Sequence, residues 1–370
     1  MKEIKLPFVL RTALVLISIL ILGFLIKVGQ PILAPLFFAF LFALLFTPFA
    51  SFFERRLKFN RALSTGISVI VLSSILLGII WFFTTQLSHF VNDFPQLQKQ
   101  VTESSYQFQL WVSKTFNVDF KMQMEYLNQG LEKLLNSSGI ILGVTFGMLS
   151  SIGAFFTFSV LFFIFILQYR RILYQFALQS FAEEHRTKVE EITLEVQKVI
   201  KQYMVGVILQ IIIVTIFTTI LLKYLDVKYA FLLGVLAGIL NVIPYIGIIT
   251  AWAFAAIISF ATSGGDTIPF LMIGYTVIHI IDANIVLPLV VGSKVKINAL
   301  VTFLGLLLGE MIWGITGMFL SIPFLAILKI IFERTNGLES WAILLGENKD
   351  KKKPRKKYRI TKNIVLEEKE

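Results

Sequence analysis

The chain has 370 residues, 56% of them hydrophobic, with a formal net charge of +11 and a mean hydropathy of +0.79. That balance excludes a pair of soluble domains, because several apolar runs exceed the roughly 18 residues that mark a membrane-spanning helix. The absence of cysteine excludes disulfides, a thiolate nucleophile and a thiolate metal site.

The N-terminus, MKEIKLPFVLRTALVLISILILGF, begins basic and continues apolar past the usual signal length with no A-x-A-like cleavage site. It reads as an uncleaved first helix, Leu10–Ile26. A tight turn over Lys27–Pro31 leads to a second helix, Ile32–Phe53. The loop that follows carries Arg55, Arg56, Lys58 and Arg61, a positive-inside mark that puts this loop and the N-terminus in the cytoplasm. A third helix, Leu63–Leu87, runs outward.

Residues 88–138 form a polar insertion with four Lys against five Asp/Glu. Phe94, Leu97, Val101, Phe108, Trp111 and Val112 recur near a helical period, as amphipathic helices on the outer face would require. A fourth helix, Ile140–Gln168, returns inside at Tyr169-Arg170-Arg171. Residues 170–203 are highly charged, with Ile192, Val196, Val199 and Tyr203 on one face. This is a cytoplasmic amphipathic helix running into a fifth membrane helix, Met204–Leu222.

Beyond Lys228 the apolar pattern changes. Ala230–Gly265 carries no charge yet breaks at Asn241–Gly247, and each half is short for a core of roughly 30 Å at 1.5 Å per residue. The segment is either a re-entrant hairpin from outside or two short tilted helices. Ile297–Leu328 repeats the pattern, charged only at Glu310 and broken at Gly309–Gly317. It returns inside, because ten Lys/Arg against five Asp/Glu follow in residues 347–370, so the second hairpin enters from the side opposite the first. An offset of 71 residues superposes Leu233, Gly234, Leu236 and Gly238 on Leu304, Gly305, Leu307 and Gly309, consistent with an inverted-topology repeat.

Between the broken segments lies Asp282, the only formally charged residue between Asp266 and Lys294. Insertion scales charge roughly 2.5–3.5 kcal/mol for a carboxylate at a helix centre, so an intramembrane acid points to function. His279 at i−3 and Tyr275 at i−7 share its face. Low dielectric favours the neutral form of a carboxyl group, whereas a nearby His or cation favours the charged one; the combination suits proton or cation coupling. Pro288 leaves the carbonyl of Asn284 without its helical donor, as Pro244 does for Leu240 and Pro323 for Phe319. These freed carbonyls are either cation ligands or ordinary kinks satisfied by neighbours. The breaks contain Asn241, Pro244, Tyr245 and Gly247 in the first segment, and Glu310, Trp313, Gly314 and Gly317 in the second. Their glycines suit turns and close helix approach. The expected site is Asp282 with Glu310, His279 and Asn284, the two hairpin tips meeting beside it.

Three blocks in this order resemble the AI-2E family of transporters: Ile243-Pro244-Tyr245-Ile246-Gly247, then Asp282, Asn284, Pro288 and Gly292, then Gly314, Gly317, Ile322 and Pro323. The resemblance extends over almost the whole chain. It departs from the family pattern at Ile248, Ile280, Asp282 itself (often Glu), Ala299 and Glu310, differences that bear on substrate rather than fold. The resemblance implies about eight transmembrane helices in a homo-oligomer, with a pentamer as the expected order. It also implies export of a small polar solute, autoinducer-2 by the family's name, with other members linked to sodium/proton antiport.

The reading is therefore an all-α membrane protein: about eight transmembrane helices, two opposed re-entrant or broken-helix hairpins, one extracytoplasmic amphipathic insertion and one cytoplasmic amphipathic helix. Its parts are a three-helix segment (1–87), the insertion (88–138), the fourth helix with its cytoplasmic extension (139–203), a transport core with a possible inverted repeat (204–335) and a basic cytoplasmic tail (336–370). The expected location is the bacterial inner membrane with both termini cytoplasmic. No enzyme activity, metal, cofactor or nucleic acid is expected; H+ or Na+ is the coupling ion, and lipid, the solute and further copies of the chain are the partners. A sodium/proton antiporter, a pore and a scaffold are the alternatives.

Overall fold

The computed structural model describes residues 7–116, 138–243, 246–263, 267–286 and 297–346, and within 94–150 almost only the backbone. The expectations for Pro244, Tyr245, Pro288 and Gly292, for the spacing of Phe94 to Val112, and for the basic tail lie outside that description.

The described chain is helical throughout its elements, with a single isolated bridge, Ile297 to Gly346. In order they are α1 (Phe8–Val28), α2 (Gln30–Arg56), α3 (Arg61–Phe116), α4 (Ser138–Gln179), α5 (Glu183–Tyr224), α6 (Ala230–Leu240), α7 (Ile246–Ser263), α8 (Ile268–Ile281), α9 (Ala299–Arg334) and α10 (Glu339–Leu345). Among the described residues 7 helices are long and apolar enough to cross a membrane, joined by the shorter apolar segments Ala230–Leu240 and Gly247–Phe260. All-helical construction is what a bilayer demands, since each helix satisfies its own backbone polar groups. The chain is an all-α, multi-pass membrane protein.

α5 is the helix around which the others are arranged. Its polar first half and apolar second half form one continuous rod of 42 residues. Ile200, Tyr203, Met204, Val207, Gln210, Val214, Thr218 and Leu222 make a buried stripe at helical spacing. The lower part of the stripe packs with Ala34 and Leu41 of α2 and with Trp313 and Leu320 of α9. In the charged half, Ile192, Val196 and Val199 meet Ala326 and Ile330 of α9, so the amphipathic face expected there is covered by the second broken segment.

α2 approaches its neighbours closely because its buried face is built of alanines, Ala34, Ala39, Ala43 and Ala50. Rings fill what the alanines leave: Phe38 against Phe155 (5.2 Å) and Phe319 (5.0 Å), and Phe46 against Phe163 (5.5 Å). At one end of this group Arg170 pairs with Glu54 at 2.7 Å. α1, by contrast, has no buried residue. α3 continues without interruption past its apolar part, Arg61–Gln86, as far as Phe116. The polar insertion thus begins as an extension of a membrane helix. Near the base of that extension Lys228 reaches Asp93 at 2.7 Å, and the Tyr229 hydroxyl donates to the same carboxylate. The Lys228 hydrogen bond, reinforced by that of Tyr229, holds the Asp93 carboxyl below its ordinary range.

Candidate functional site

α6 packs onto α5 through two glycines four residues apart. A Cβ on Gly238 would fall 2.6 Å from the Ile211 carbonyl oxygen, and one on Gly234 would meet Thr219 and Thr215. Small residues at this spacing let two backbones approach in a membrane. The approach carries the end of α6 to the middle of α5, where the chain turns. Leu240 O, the carbonyl that Pro244 was expected to free, accepts from Ile243 N at 2.9 Å, and Gly247 N donates to Ile243 O at 3.0 Å. Its kink is satisfied locally. Gly247 is required by the turn, because a Cβ there would sit 1.9 Å from Leu240 O.

Asn241 caps α6 at this turn and its side chain points inward. Its Nδ2 donates to Asp282 Oδ2 at 2.8 Å, while Gln210 Nε2 of α5 donates to Oδ1 and Oδ2 at 3.1 and 3.0 Å. Asp282, Gln210 and Asn241 are all buried. One carboxylate therefore joins α5, the first hairpin and the end of α8. Buried charge of this kind persists only when it is hydrogen-bonded, and two carboxamides supply the donors here.

The backbone at Asp282 is also distinctive. α8 gives way there to a π turn, Asp282–Val286, a rare form that occurs mostly as single-turn bulges in α-helices, frequently at functional sites. Both carboxamides can present either N–H or C=O to the carboxylate. The cluster can therefore receive a proton, or a hard cation held by carboxylate and amide oxygens. Among the described residues no three His, Cys, Asp or Glu side chains gather as a metal site.

The other expected residues are distributed differently. Asn284 is exposed and its amide donates back to Ile280 O at 2.9 Å, so it serves its own helix. His279 is half-buried and faces a cavity with Tyr275 and Trp252. Glu310 is exposed, with no ion pair or hydrogen bond among the described residues, and does not join Asp282.

α9 is folded on itself: Trp313 and Gly314 leave helical geometry, with Gly314 at φ 61° and ψ −141°. The two arms touch backbone to backbone, since a Cβ on Gly317 would fall 2.0 Å from Gly309 O. Ser321 seals them by donating to Gly305 O and Gly317 O at 2.7 Å. Pro323 lies buried within the second arm. The tip is anchored by Trp313 Nε1, which donates to Ile26 O at 2.9 Å. The two hairpins meet where Ile243, next to the Asn241 turn, packs with Leu306 and Met318. The 71-residue offset equates glycines with different partners: Gly234 and Gly238 face α5, whereas Gly305 and Gly309 face the other arm of their own hairpin.

Gln210 was not among the residues anticipated. Its signal was present: it is the one carboxamide between Gln202 and Asn241, and it falls on the stripe of α5 that faces inward.

Known proteins place this geometry in context. The family described as AI-2E family transporter matches residues 14–337. YhhT of Escherichia coli K12 is 24% identical over 332 residues, covering 88% of this chain and 91% of its own. YueF of Bacillus subtilis is 24% identical over 313 residues, covering 80% and 82% respectively. The AI-2 transport protein TqsA of E. coli K12 is 38% identical over 128 residues, a match spanning 34% of this chain and 37% of TqsA.

Proposed function

Because the chain belongs to the AI-2E transporter family, we propose that it is a secondary transporter that exports a small polar solute coupled to H+ or Na+, with Asp282 as the coupling group. The observation that carries this reading is the sharing of one buried carboxylate among α5, the first hairpin and α8 through Gln210 and Asn241. Hydrogen bonds to a charged group contribute about 1.5–3 kcal/mol each, so loss of the charge loosens the hairpin from α5. Protonation removes an acceptor and adds a donor; the carboxamides must then turn or separate. A sodium ion acts in the same place by drawing amide oxygens, rather than N–H groups, towards the carboxylate. Either event changes how the first hairpin is held and, through Ile243, Leu306 and Met318, how it rests on the second.

TqsA is named for AI-2 transport, which makes autoinducer-2 the first cargo to try. We take the protein to lie in the inner membrane with both termini cytoplasmic, the side marked by Arg55, Arg56, Arg170 and Arg171. We also take it to assemble with copies of itself, for which the uncovered α1 is available.

The test is flux in proteoliposomes with an imposed proton gradient, following autoinducer-2 and radioactive sodium in parallel for wild type and Asp282→Asn. Gradient-driven movement of one cargo in wild type, lost in the variant, is the expected result. Equal movement in Asp282→Asn, or a conductance indifferent to the gradient, overturns the reading.

A further inference from the structure

Where the apolar runs of α2 and α4 give way to Arg55, Arg170 and Arg171, a cavity of about 510 Å³ lies between the two helices, with Gln197 of α5 on its wall. That volume is within the roughly 300–1,000 Å³ typical of ligand pockets. Leu44, Thr47, Ser51 and Arg55 recur on one face of α2, and Ile166, Arg170 and Tyr174 on one face of α4, so the cavity follows both helices lengthwise. From Leu44 to Arg55 it extends about 17 Å at roughly 1.5 Å per residue. Its two ends differ in chemistry. One is walled by Leu44 and Ile166, and Thr47 adds no free donor there because its hydroxyl turns back to Ala43 O at 2.6 Å. The other carries three guanidiniums against one carboxylate, that of Glu54.

Glu54 is engaged by Arg170 at 2.7 Å, with Arg171 further off at 3.8 Å. The closer contact fixes Arg170 at the rim of the cavity. Arg55 is exposed and has no acidic partner among the described residues, and the Arg171 side chain is 67% exposed. Ser51, Gln175 and Gln197 add side chains that are half-buried or exposed and make no hydrogen bond among the described residues; the Tyr174 hydroxyl is already given to Glu190 at 2.8 Å. The uncommitted groups at this end are therefore chiefly cations and donors within reach of solvent. We propose that the cavity binds an anionic phospholipid, its phosphate at Arg55 and Arg171 and an acyl chain along Leu44 and Ile166. A guanidinium presents paired N–H groups that match phosphate oxygens, and an anion without a chain would leave the apolar end unfilled. Gln210, Asn241 and Asp282 do not line the cavity, and Gln197 precedes Gln210 on α5 by about 20 Å, so occupancy is independent of the coupling reading.

The rise in unfolding temperature of the full-length, detergent-solubilised protein with ligand concentration tests this, since a ligand that binds only the folded state stabilises it by mass action. The probes are dioctanoylphosphatidylglycerol, dioctanoylglycerol, which keeps the chains without the phosphate, and glycerol 3-phosphate, which keeps the phosphate without the chains. The expected result is a saturable rise with dioctanoylphosphatidylglycerol, none with dioctanoylglycerol and a much weaker one with glycerol 3-phosphate. Arg55→Gln and Arg171→Gln should each raise the half-saturating concentration about tenfold, the effect of one charge-assisted hydrogen bond. Arg56→Gln, at the same end of α2 but off the cavity, should leave it unchanged. Ser51→Phe, which narrows the cavity while sparing every charge, should weaken binding as well, and it decides the matter if the arginine variants do not fold. Equal weakening by Arg56→Gln and Arg55→Gln overturns the proposal, because diffuse surface charge then accounts for the binding. So does a response to dioctanoylglycerol equal to that of the phospholipid, or an affinity for glycerol 3-phosphate as high as for the phospholipid.

Discussion

Replacing Asp282 and Gln210 by leucine, singly and together, measures how tightly the carboxylate holds the first hairpin to α5. Gln210→Leu removes the donor that lies 3.0–3.1 Å from both carboxylate oxygens, at a cost of about 1.5–3 kcal/mol for a bond to a charged group. Asp282→Leu strands two buried amides, each costing about 1–3 kcal/mol, partly offset because no charge then needs burial. The double variant strands only Asn241, so its destabilisation is smaller than the sum of the two. The cycle should return a coupling of about 2 kcal/mol, read from equilibrium unfolding of the detergent-solubilised protein. Additivity within about 0.5 kcal/mol, the usual limit for independent sites, would refute the reasoning.

Gly247→Ala drives a methyl group to 1.9 Å from the Leu240 carbonyl oxygen and should cost several kcal/mol, seen as a sharp fall in folded yield; Gly66→Ala, with nothing within 4 Å, should be neutral or stabilising by up to about 1 kcal/mol. Gly314→Ala has room for its methyl group but forces alanine to φ 61° and ψ −141°, so thermal unfolding should report a loss of about 1–3 kcal/mol. Asp93 is held below its ordinary carboxylate range chiefly by its hydrogen bond to Lys228, and Lys228 above its ordinary range chiefly by the bond to Asp93. Asp93's contribution is therefore present above the unfolded carboxylate value and lost as pH falls through the depressed one; that of Lys228 is present below the unfolded ammonium value and lost as pH rises through the raised one. The stability difference between wild type and Lys228→Ala should stay flat from roughly pH 5 to 9 and shrink only outside that window.

Much of the architecture could be read before any coordinates. Long uncharged runs leave few choices but membrane helices, and the spacing of Ile192, Val196, Val199 and Tyr203 already marked the face of α5 that α9 covers. Asp282 stood out because charge in an apolar run is costly. Its partners were harder to see. Gln210 carries no charge, and one amide in a hydrophobic helix is inexpensive enough to pass as incidental. Asn241 was noticed as part of a break, whereas its side chain completes the carboxylate's shell. Glu310 shows the opposite difficulty, since neither charge nor position along the chain says which way a residue faces on a short hairpin arm. It shares the exposed side of that arm with Phe303, Leu307 and Met311. His279 lies only three residues from Asp282, yet it lines a cavity with Tyr275 and Trp252 rather than joining the carboxylate cluster.

The arrangement divides labour between rigid and movable parts. Gly309 against Gly317, with Ser321 across the arms and Trp313 tied to Ile26, fixes the second hairpin by contacts that carry no ionisable group. The first hairpin is anchored at its tip by Asn241 to the Asp282 carboxylate. If Asp282 is the coupling group as proposed, the motion it drives is expected in the first hairpin.

Hydrogen–deuterium exchange of the peptide spanning the end of α6 and the start of α7, measured at one pH and referenced to a peptide from α2, tests most directly whether Asp282 holds the hairpin through Asn241 and Gln210. Relative to the α2 peptide, this peptide should exchange faster in Asp282→Leu than in wild type. Equal relative exchange in the two proteins would contradict the idea that Asp282 holds the hairpin.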